Sequence, residues 1–187
     1  MAEEEMAVAK VGKTEYATLA EAVEKATDGA TVTLLKNATG SGIIVQEGKK
    51  FTLDFGGHTY TVDQSPLAGS SGTQSQCFQL LKDSTLIFKN GTIACNNNGV
   101  AMIIQNYANL TLDGMTINGN TMSGTGTYAM SNNCGNVVIK DTTINAKNGD
   151  VAFDVYGGFG DYSDVTVTVE GNSVINGKIE VARDSGT

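Results

Sequence analysis

The chain has 187 residues, of which only 17% are charged, with one Pro, no Trp and a formal net charge of −8. This length suits one domain. The low charge and near absence of Pro exclude a disordered chain, and the negative charge argues against nucleic acid as a partner. Thr, Asn and Gly are abundant, at 22, 16 and 23 residues, which predicts an all-β protein with many turns.

The termini, the apolar runs and the cysteines narrow the class further. There is no run of 18 apolar residues, so no membrane insertion is expected, and the acidic start at residues 1–5 does not resemble a secretory signal. The three cysteines lack metal-ligand spacing. We therefore expect free thiols at Cys77, Cys95 and Cys134, no disulfide among them because they occupy different positions of the repeat described below, and neither a metal nor a cofactor.

One helix is predicted near the start. Thr18 and Glu21 form a capping box, in which the Thr18 hydroxyl accepts from the Glu21 amide. The apolar residues that follow lie on one helical face. The spacing predicts a helix over 18–28, after an N-terminal arm of residues 1–16, and the apolar face is Leu19, Ala22, Val23 and Ala26.

The rest of the chain repeats. Segments 77–93, 101–117 and 128–144 align without a gap, and each holds three short runs of alternating apolar residues. Copies also begin near residues 42 and 151. Three short strands per coil, stacked in five or six coils, predict a parallel β-helix over residues 17–187. The apolar columns include Leu86, Leu110 and Val137, then Phe88, Leu112 and Ile139, then Ile93, Ile117 and Ile144.

Three stretches carry a resemblance to a known family. They are YATLAEAV at 16–23, DGATVTLL at 28–35 and TLDFGGHT at 52–59. These resemble the start of proteins in the pectin-lyase-like right-handed parallel β-helix superfamily. They are most similar to the non-catalytic modules of large bacterial surface proteins and phage structural proteins. The resemblance implies the fold and a virion or cell-surface location, but the fold hosts many functions.

Two polar columns follow from the same alignment. The first alternates in sign from coil to coil, which predicts a charge ladder that fixes the stacking register. The alternative is that Asp54 or Asp113 acts as a metal ligand or a general acid. The second column is a predicted asparagine ladder at a turn, formed by Asn106 and Asn133. The charge ladder consists of Asp54, Lys89, Asp113, Lys140 and Glu170.

Catalytic chemistry is not evident. Lyases and hydrolases of this superfamily need clustered carboxylates, whereas carboxylates with neighbours in the aligned columns have a Lys between them. We expect no catalytic residue. The Gly-rich loop 156–162 exposes Tyr156, Phe159 and Tyr162, which suits contact with a sugar or a protein. The alternative is that Phe159 folds back over a groove.

The expected function is therefore a rigid structural or adhesive module, without enzymatic activity, on a virion or cell surface. The alternative is a carbohydrate-binding or polysaccharide-degrading β-helix. The segment Lys178 to Ala182 is predicted to be a strand with no cap after it, which leaves Ile175, Ile179 and Val181 as open core positions. Because bare strand edges associate, we expect a protein partner or self-association at this end, with a surface glycan as a further possible partner.

Overall fold

The computed structural model describes residues 6–158 and 165–183 and is a stack of coils built from parallel strands. Each coil contributes one strand to each of three faces, and equivalent strands of successive coils pair in parallel. The predicted all-β parallel β-helix with three strands per coil is confirmed. The third face has six strands, which gives six coils.

The elements follow one order through every coil. The chain opens with β1 (Ala9–Val11), β2 (Thr14–Tyr16) and α1 (Leu19–Lys25). The first face holds β3 (Ala30–Leu34), β6 (Lys50–Asp54), the first halves of β9 (Thr85–Cys95) and β11 (Asn109–Asn118), β13 (Asn136–Lys140) and β16 (Val167–Glu170). The second face holds β4 (Ala38–Ser41), β7 (Thr59–Gln64), the second halves of β9 and β11, β14 (Thr143–Asn145) and β17 (Val174–Asn176), and a short 3-10 helix, Gly119–Thr121, follows β11. The third face holds β5 (Ile43–Val45), β8 (Gln76–Leu80), β10 (Met102–Asn106), β12 (Tyr128–Asn133), β15 (Val151–Gly157) and β18 (Lys178–Arg183).

The corner between the first and second faces has a left-handed residue at the same position in each of the last four coils. Asn90, Gly114, Asp141 and Gly171 have φ values of 60°, 66°, 46° and 64° and stack above one another. Gly, Asn and Asp are the residues that tolerate this left-handed conformation. A single residue of this kind turns the chain sharply, and the corner has two residues in the third to fifth coils, 90–91, 114–115 and 141–142. It is longer in the second and last coils, where it comprises residues 55–58 and 171–173.

The interior is filled by the inward side chains of all three faces. The predicted apolar columns of the first and second faces are buried and lie in register, as in Leu86, Leu110 and Val137. Phe88 makes edge-to-face contacts with Phe55 and Phe78, with ring centroids 6.1 and 5.5 Å apart. Since adjacent rungs repeat every ~4.8 Å, such columns form a continuous core.

Helix α1 covers the N-terminal end of the coils. The Thr18 hydroxyl accepts from the Glu21 amide at 3.1 Å, as predicted, and Leu19, Ala22 and Val23 are buried. The helix ends at Lys25, three residues earlier than predicted, because Ala26 is already extended. The Lys49 ammonium donates to two carbonyls at the end of the helix and holds it on the first coil.

The predicted N-terminal arm contains two strands that the sequence did not reveal. Strand β1 pairs with β2 and with β3, both antiparallel, with Ala9 opposite Leu34. These short strands extend the first face beyond the first coil. The N-terminal end is therefore covered by a hairpin as well as by a helix.

The gapless alignment is wrong on the third face. It placed Phe78 and Met102 in one column, but Phe78 pairs with Ile104, and Met102 pairs with Gln76 and Tyr128. The reason is the corner between the third face and the next first-face strand, which differs in length between coils. Counted from the paired positions Leu80, Asn106 and Asn132, the connection to the next first-face strand comprises residues 81–84, 107–108 and 133–135, the last of which includes the end of β12.

The thiols are free, as predicted, and all three are buried. Their different positions in the predicted repeat did not reveal, however, that two of them lie close together. Cys77 at the start of the third face and Cys95 at the end of the second face are hydrogen-bonded to each other through their side chains. The hydrogen bond from Cys77 lowers the pKa of Cys95 to about 7.

The C-terminal end is open among the described residues. The inward columns continue into the last coil, where Ile179 follows Phe153 and Val181 follows Val155. Yet Ile179 is 57% exposed and Val181 78% exposed. No described element covers them, although Ile175 is partly buried against the core.

Candidate functional site

A groove lies on the outer surface of the third face, where β10, β12 and β15 run side by side. Its volume is about 370 Å³. A second cavity of about 350 Å³ lies between α1 and β5, but its Lys49 already binds helix carbonyls. The third-face groove is thus the stronger candidate. It is lined by Met102, Tyr107, Tyr128, Ser131, Asn133, Asp154 and Tyr156.

Strand register explains why polar groups collect there. From the second coil on, each third-face strand turns one polar side chain outward next to an inward-facing residue such as Met130 or Phe153, whereas the first coil has Ile44 at this position. The Gln79 amide donates to the Gln105 carbonyl oxygen at 3.0 Å, so the column is bonded along the stack. The column is Gln79, Gln105, Ser131, Asp154 and Glu180.

Asp154 is the least satisfied member of this column. Its Oδ1 atom is shielded from solvent and has no hydrogen-bond partner among the described residues, while Ser131 hydrogen-bonds to the carboxyl group. Burial raises the pKa of Asp154, and Glu180 in the next coil raises it further. The charged form of such a carboxyl group becomes more stable when a hydrogen-bond donor or a positive charge approaches.

Three tyrosines frame the groove. Tyr128 begins β12, Tyr156 lies near the end of β15, and Tyr107 follows β10 at the corner. The Asn133 amide donates to the Tyr107 hydroxyl at 3.0 Å. Burial, followed by the charges of Glu180 and Asp154, raises the pKa of Tyr128. Each of the three side chains presents both an apolar ring and a hydroxyl.

The structure locates part of the predicted contact loop in this groove. Tyr156 lines it, whereas Phe159 and Tyr162 lie outside the described residues. The prediction missed the other polar and aromatic residues that line the groove. An alignment with one gap at the third-face corner would have placed Tyr128, Ser131 and Asp154 on the outer surface.

The expectation that no two carboxylates are neighbours is wrong for one pair. Asp154 in β15 lies opposite Glu180 in β18, in adjacent rungs with no Lys between them. The gapless alignment hid this pair because it misplaced the third-face columns. The one acid that lines the groove, Asp154, therefore has a second acid beside it in the next rung.

The charge ladder lies on a different surface, at the end of the first face. Its five members occupy one column, and successive members are opposite each other in the sheet. The Lys89 ammonium is 3.5 Å from the Asp54 carboxylate, and the Lys140 ammonium is 3.2 Å from that of Asp113. The hydrogen bond to Asp113 raises the pKa of Lys140. Because each described acid of this column faces a lysine, the ladder offers no site for a cation.

We expect Asp113→Lys to weaken the stack, because it places three successive lysines in the ladder column. Exposed pairs contribute roughly 0.2–1 kcal/mol each, so the melting temperature should fall by about 2–4 °C at low salt. The loss should shrink at high salt. Asp28→Lys makes the same change in net charge at an exposed position and serves as the control. Equal melting temperatures for the two variants at low salt would exclude the ladder as a source of stability.

The asparagine ladder exists, but its second member was assigned wrongly. Asn106 pairs with Asn132, not with Asn133, and its amide donates to the Asn132 side-chain oxygen at 2.9 Å. Asn133 instead points into the groove. The error of one residue arises at the corner of variable length described above.

Two further features are absent from residues 6–158 and 165–183. That part of the chain has no group of three His, Cys, Asp or Glu side chains placed to hold a metal ion. None of its helices is long and apolar enough to cross a membrane.

Comparison with known proteins gives one match. The family model described as a right handed beta helix region matches residues 28–186, which is most of the chain. No curated protein and no solved structure gives a significant match. The matched range begins just after α1 and takes in all six coils, so the chain belongs to the right-handed β-helix family.

Proposed function

We propose that this chain is a non-enzymatic adhesive module: a rigid β-helix that binds a surface glycan in the third-face groove. We place it on a virion or a cell surface. The observation that carries the proposal is the groove itself, in which three tyrosines surround a row of polar side chains on stacked parallel strands.

The chemistry of the groove suits a saccharide. Sugar rings present apolar C–H faces and a rim of hydroxyls. Tyrosine rings cover apolar faces and keep a polar hydroxyl at their edge. Ser131, Asn133 and Asp154 provide donors and acceptors between the rings. Because the strands are fixed by the ladder hydrogen bonds of the sheet, these groups are held in place before the ligand arrives.

The test is binding to an immobilised panel of oligosaccharides. Tyr128→Ala and Tyr156→Ala should each lower affinity for the bound glycan by about tenfold, as expected for a central aromatic contact. Tyr16→Ala, which lies on β2 at the opposite end of the molecule, should bind as the wild type does. Circular dichroism would verify that the variants are folded. If the wild type binds no glycan, or if the groove variants bind normally, the proposal fails.

One observation favours a second function, hydrolysis of the bound glycan. Retaining glycosidases use two carboxyl groups about 5–5.5 Å apart, one of them with a raised pKa. Asp154 has a raised pKa and lies opposite Glu180 in adjacent rungs, which repeat every ~4.8 Å. Release of reducing ends from a bound glycan, abolished in both Asp154→Asn and Glu180→Gln, would establish this activity in place of simple adhesion.

We further propose that two copies associate through their C-terminal ends. The N-terminal end is covered by α1 and the β1–β2 hairpin, whereas the last coil exposes the apolar side chains of Val169, Ile179 and Val181. Contact between two equivalent open ends is isologous, and it closes at two copies rather than forming a fibre.

Sedimentation over a wide concentration range tests this association. The wild-type chain should form dimers, and Val181→Lys should shift the equilibrium to monomers. Ile87→Lys changes an exposed apolar residue on the first face and should leave the dimer intact. A monomer at all concentrations, with slow amide exchange in residues 178–182, would contradict the proposal.

A further inference from the structure

We propose that the ligand of the third-face groove is an amino sugar with a free ammonium group, and that uronic acids are excluded. This inference rests on the proposed glycan-binding function and names the class of sugar. It is carried by the position of two carboxyl groups in the row of outward side chains: Asp154, which lines the groove with the tyrosines, and Glu180 in the next rung.

The sign of the charge in the groove is the first argument. Asp154 lies inside the groove, and Glu180 occupies the next rung of the same column. The other polar residues that line the groove, Ser131 and Asn133, are neutral. A uronate would therefore bring a third negative charge to two that already lie side by side, where partial burial strengthens repulsion. An ammonium would be attracted to both.

The positions of the cations are the second argument. Among the described residues, the basic side chains nearest in register are Lys178 and Arg183, both on the last strand. Lys178 is paired with Val151, and Arg183 with Gly157, so they lie on either side of Glu180 along β18. Neither side chain lines the groove. The centre of the row therefore keeps its negative charge.

The unsatisfied oxygen of Asp154 is the third argument. Oδ1 is shielded and has no donor among residues 6–158 and 165–183, so these residues stabilise the charged form of the carboxylate poorly. A cation that enters the groove therefore binds this carboxylate more strongly than it would bind a well-hydrated one. The faces of Tyr128 and Tyr156 favour the same kind of ligand, because aromatic faces attract ammonium groups.

Titration calorimetry with three trisaccharides tests the inference: a glucosamine trimer, its fully N-acetylated form and trigalacturonate. The experiments use the full chain at low ionic strength and at a pH just below the pKa of the amine, because further acidification would protonate Asp154, whose pKa is raised by burial. The glucosamine trimer should bind about tenfold more tightly than the acetylated trimer, as expected for one added charge-assisted contact. Trigalacturonate should bind least. Asp154→Asn should abolish the preference for the amine while it retains binding of the acetylated trimer.

Glu15→Gln removes one negative charge from an exposed site on β2 and should keep the preference, which separates a local effect from the attraction of an acidic protein for any polycation. Equal affinities for the amine and acetylated trimers, or tighter binding of trigalacturonate, would overturn the choice of amino sugar and leave the glycan site in place. Absence of binding to all three trimers would overturn this inference, and absence of binding across the wider panel as well would overturn the proposed function.

Discussion

Replacing Gly91 by Ala, at the corner between the first and second faces, should lower the free energy of unfolding by about 3 kcal/mol or more. This is the upper range for overpacking in a core. A Cβ atom at this position would lie 2.2 Å from the Phe55 Cβ and 2.5 Å from the His58 carbonyl oxygen. Both atoms belong to the coil below and are fixed to its backbone. The added methyl group therefore cannot be accommodated by rotating a side chain, and the two coils must move apart.

Gly157→Ala is the matched control, because its Cβ would be 3.5 Å from the nearest atom, a Val165 methyl carbon. This change should alter stability by less than about 1 kcal/mol. Urea unfolding of both variants gives the comparison. If Gly91→Ala lost no more stability than Gly157→Ala, the close approach of the coils at this corner would be refuted.

The second large loss of stability is expected when Asn106, which is fully buried, is replaced by Ala. Its amide donates to the Ala108 carbonyl at 3.0 Å and to the Asn132 oxygen at 2.9 Å, and its own oxygen accepts from the Ala108 amide at 3.1 Å. Asn106→Ala leaves the Ala108 amide and the Asn132 oxygen buried without these partners, whereas the Ala108 carbonyl still accepts from the Asn136 backbone amide. Each such group costs about 1–3 kcal/mol, so the free energy of unfolding should fall by about 3 kcal/mol.

An exposed asparagine pair provides the control. The Asn136 side-chain amide donates to the Asn109 side-chain oxygen at 3.0 Å, and this hydrogen bond is exposed to solvent. Water can replace this bond, so Asn109→Ala should cost less than about 0.5 kcal/mol. Chemical denaturation of the two variants distinguishes the cases. Similar losses of stability in the two variants would show that burial does not determine how much the Asn106–Asn132 hydrogen bond stabilises the fold.

The sequence was informative where the length of the coil is constant. In the third to fifth coils the corner between the first and second faces has two residues, the first of them left-handed, so the apolar columns and the charge ladder could be read there without gaps. Leu112, Ile139 and Lys140 have the predicted partners. Alternation of apolar residues reports which face is buried, and this signal is strong when the register is fixed.

The groove could not be predicted for the opposite reason. Counted from the same paired positions, the third-face corner has four, two or three residues in successive coils, across residues 81–84, 107–108 and 133–135. Two consecutive inward residues, such as Ala129 and Met130, also break the alternation. A register error of one residue exchanges inner and outer positions. Asp154 and Tyr128 were therefore not recognised as neighbours of one surface.

The hairpin was missed because its strands are too short for a periodic signal. Strands β1 and β2 have three residues each and include Lys10, Thr14 and Glu15. Their position depends on pairing with the first coil rather than on their own pattern. Local sequence carries little information about such strands.

The sign alternation of the ladder has a consequence for how proteins of this shape can change in length. The column runs acid, base, acid, base, acid, so its unit is two coils rather than one. Loss or duplication of a single coil would bring two like charges together at the new junction. Loss or duplication of two consecutive coils would restore the pattern. We therefore expect internal duplications in this lineage to be retained as pairs of coils, and engineered rods to be most stable when they are lengthened in the same steps.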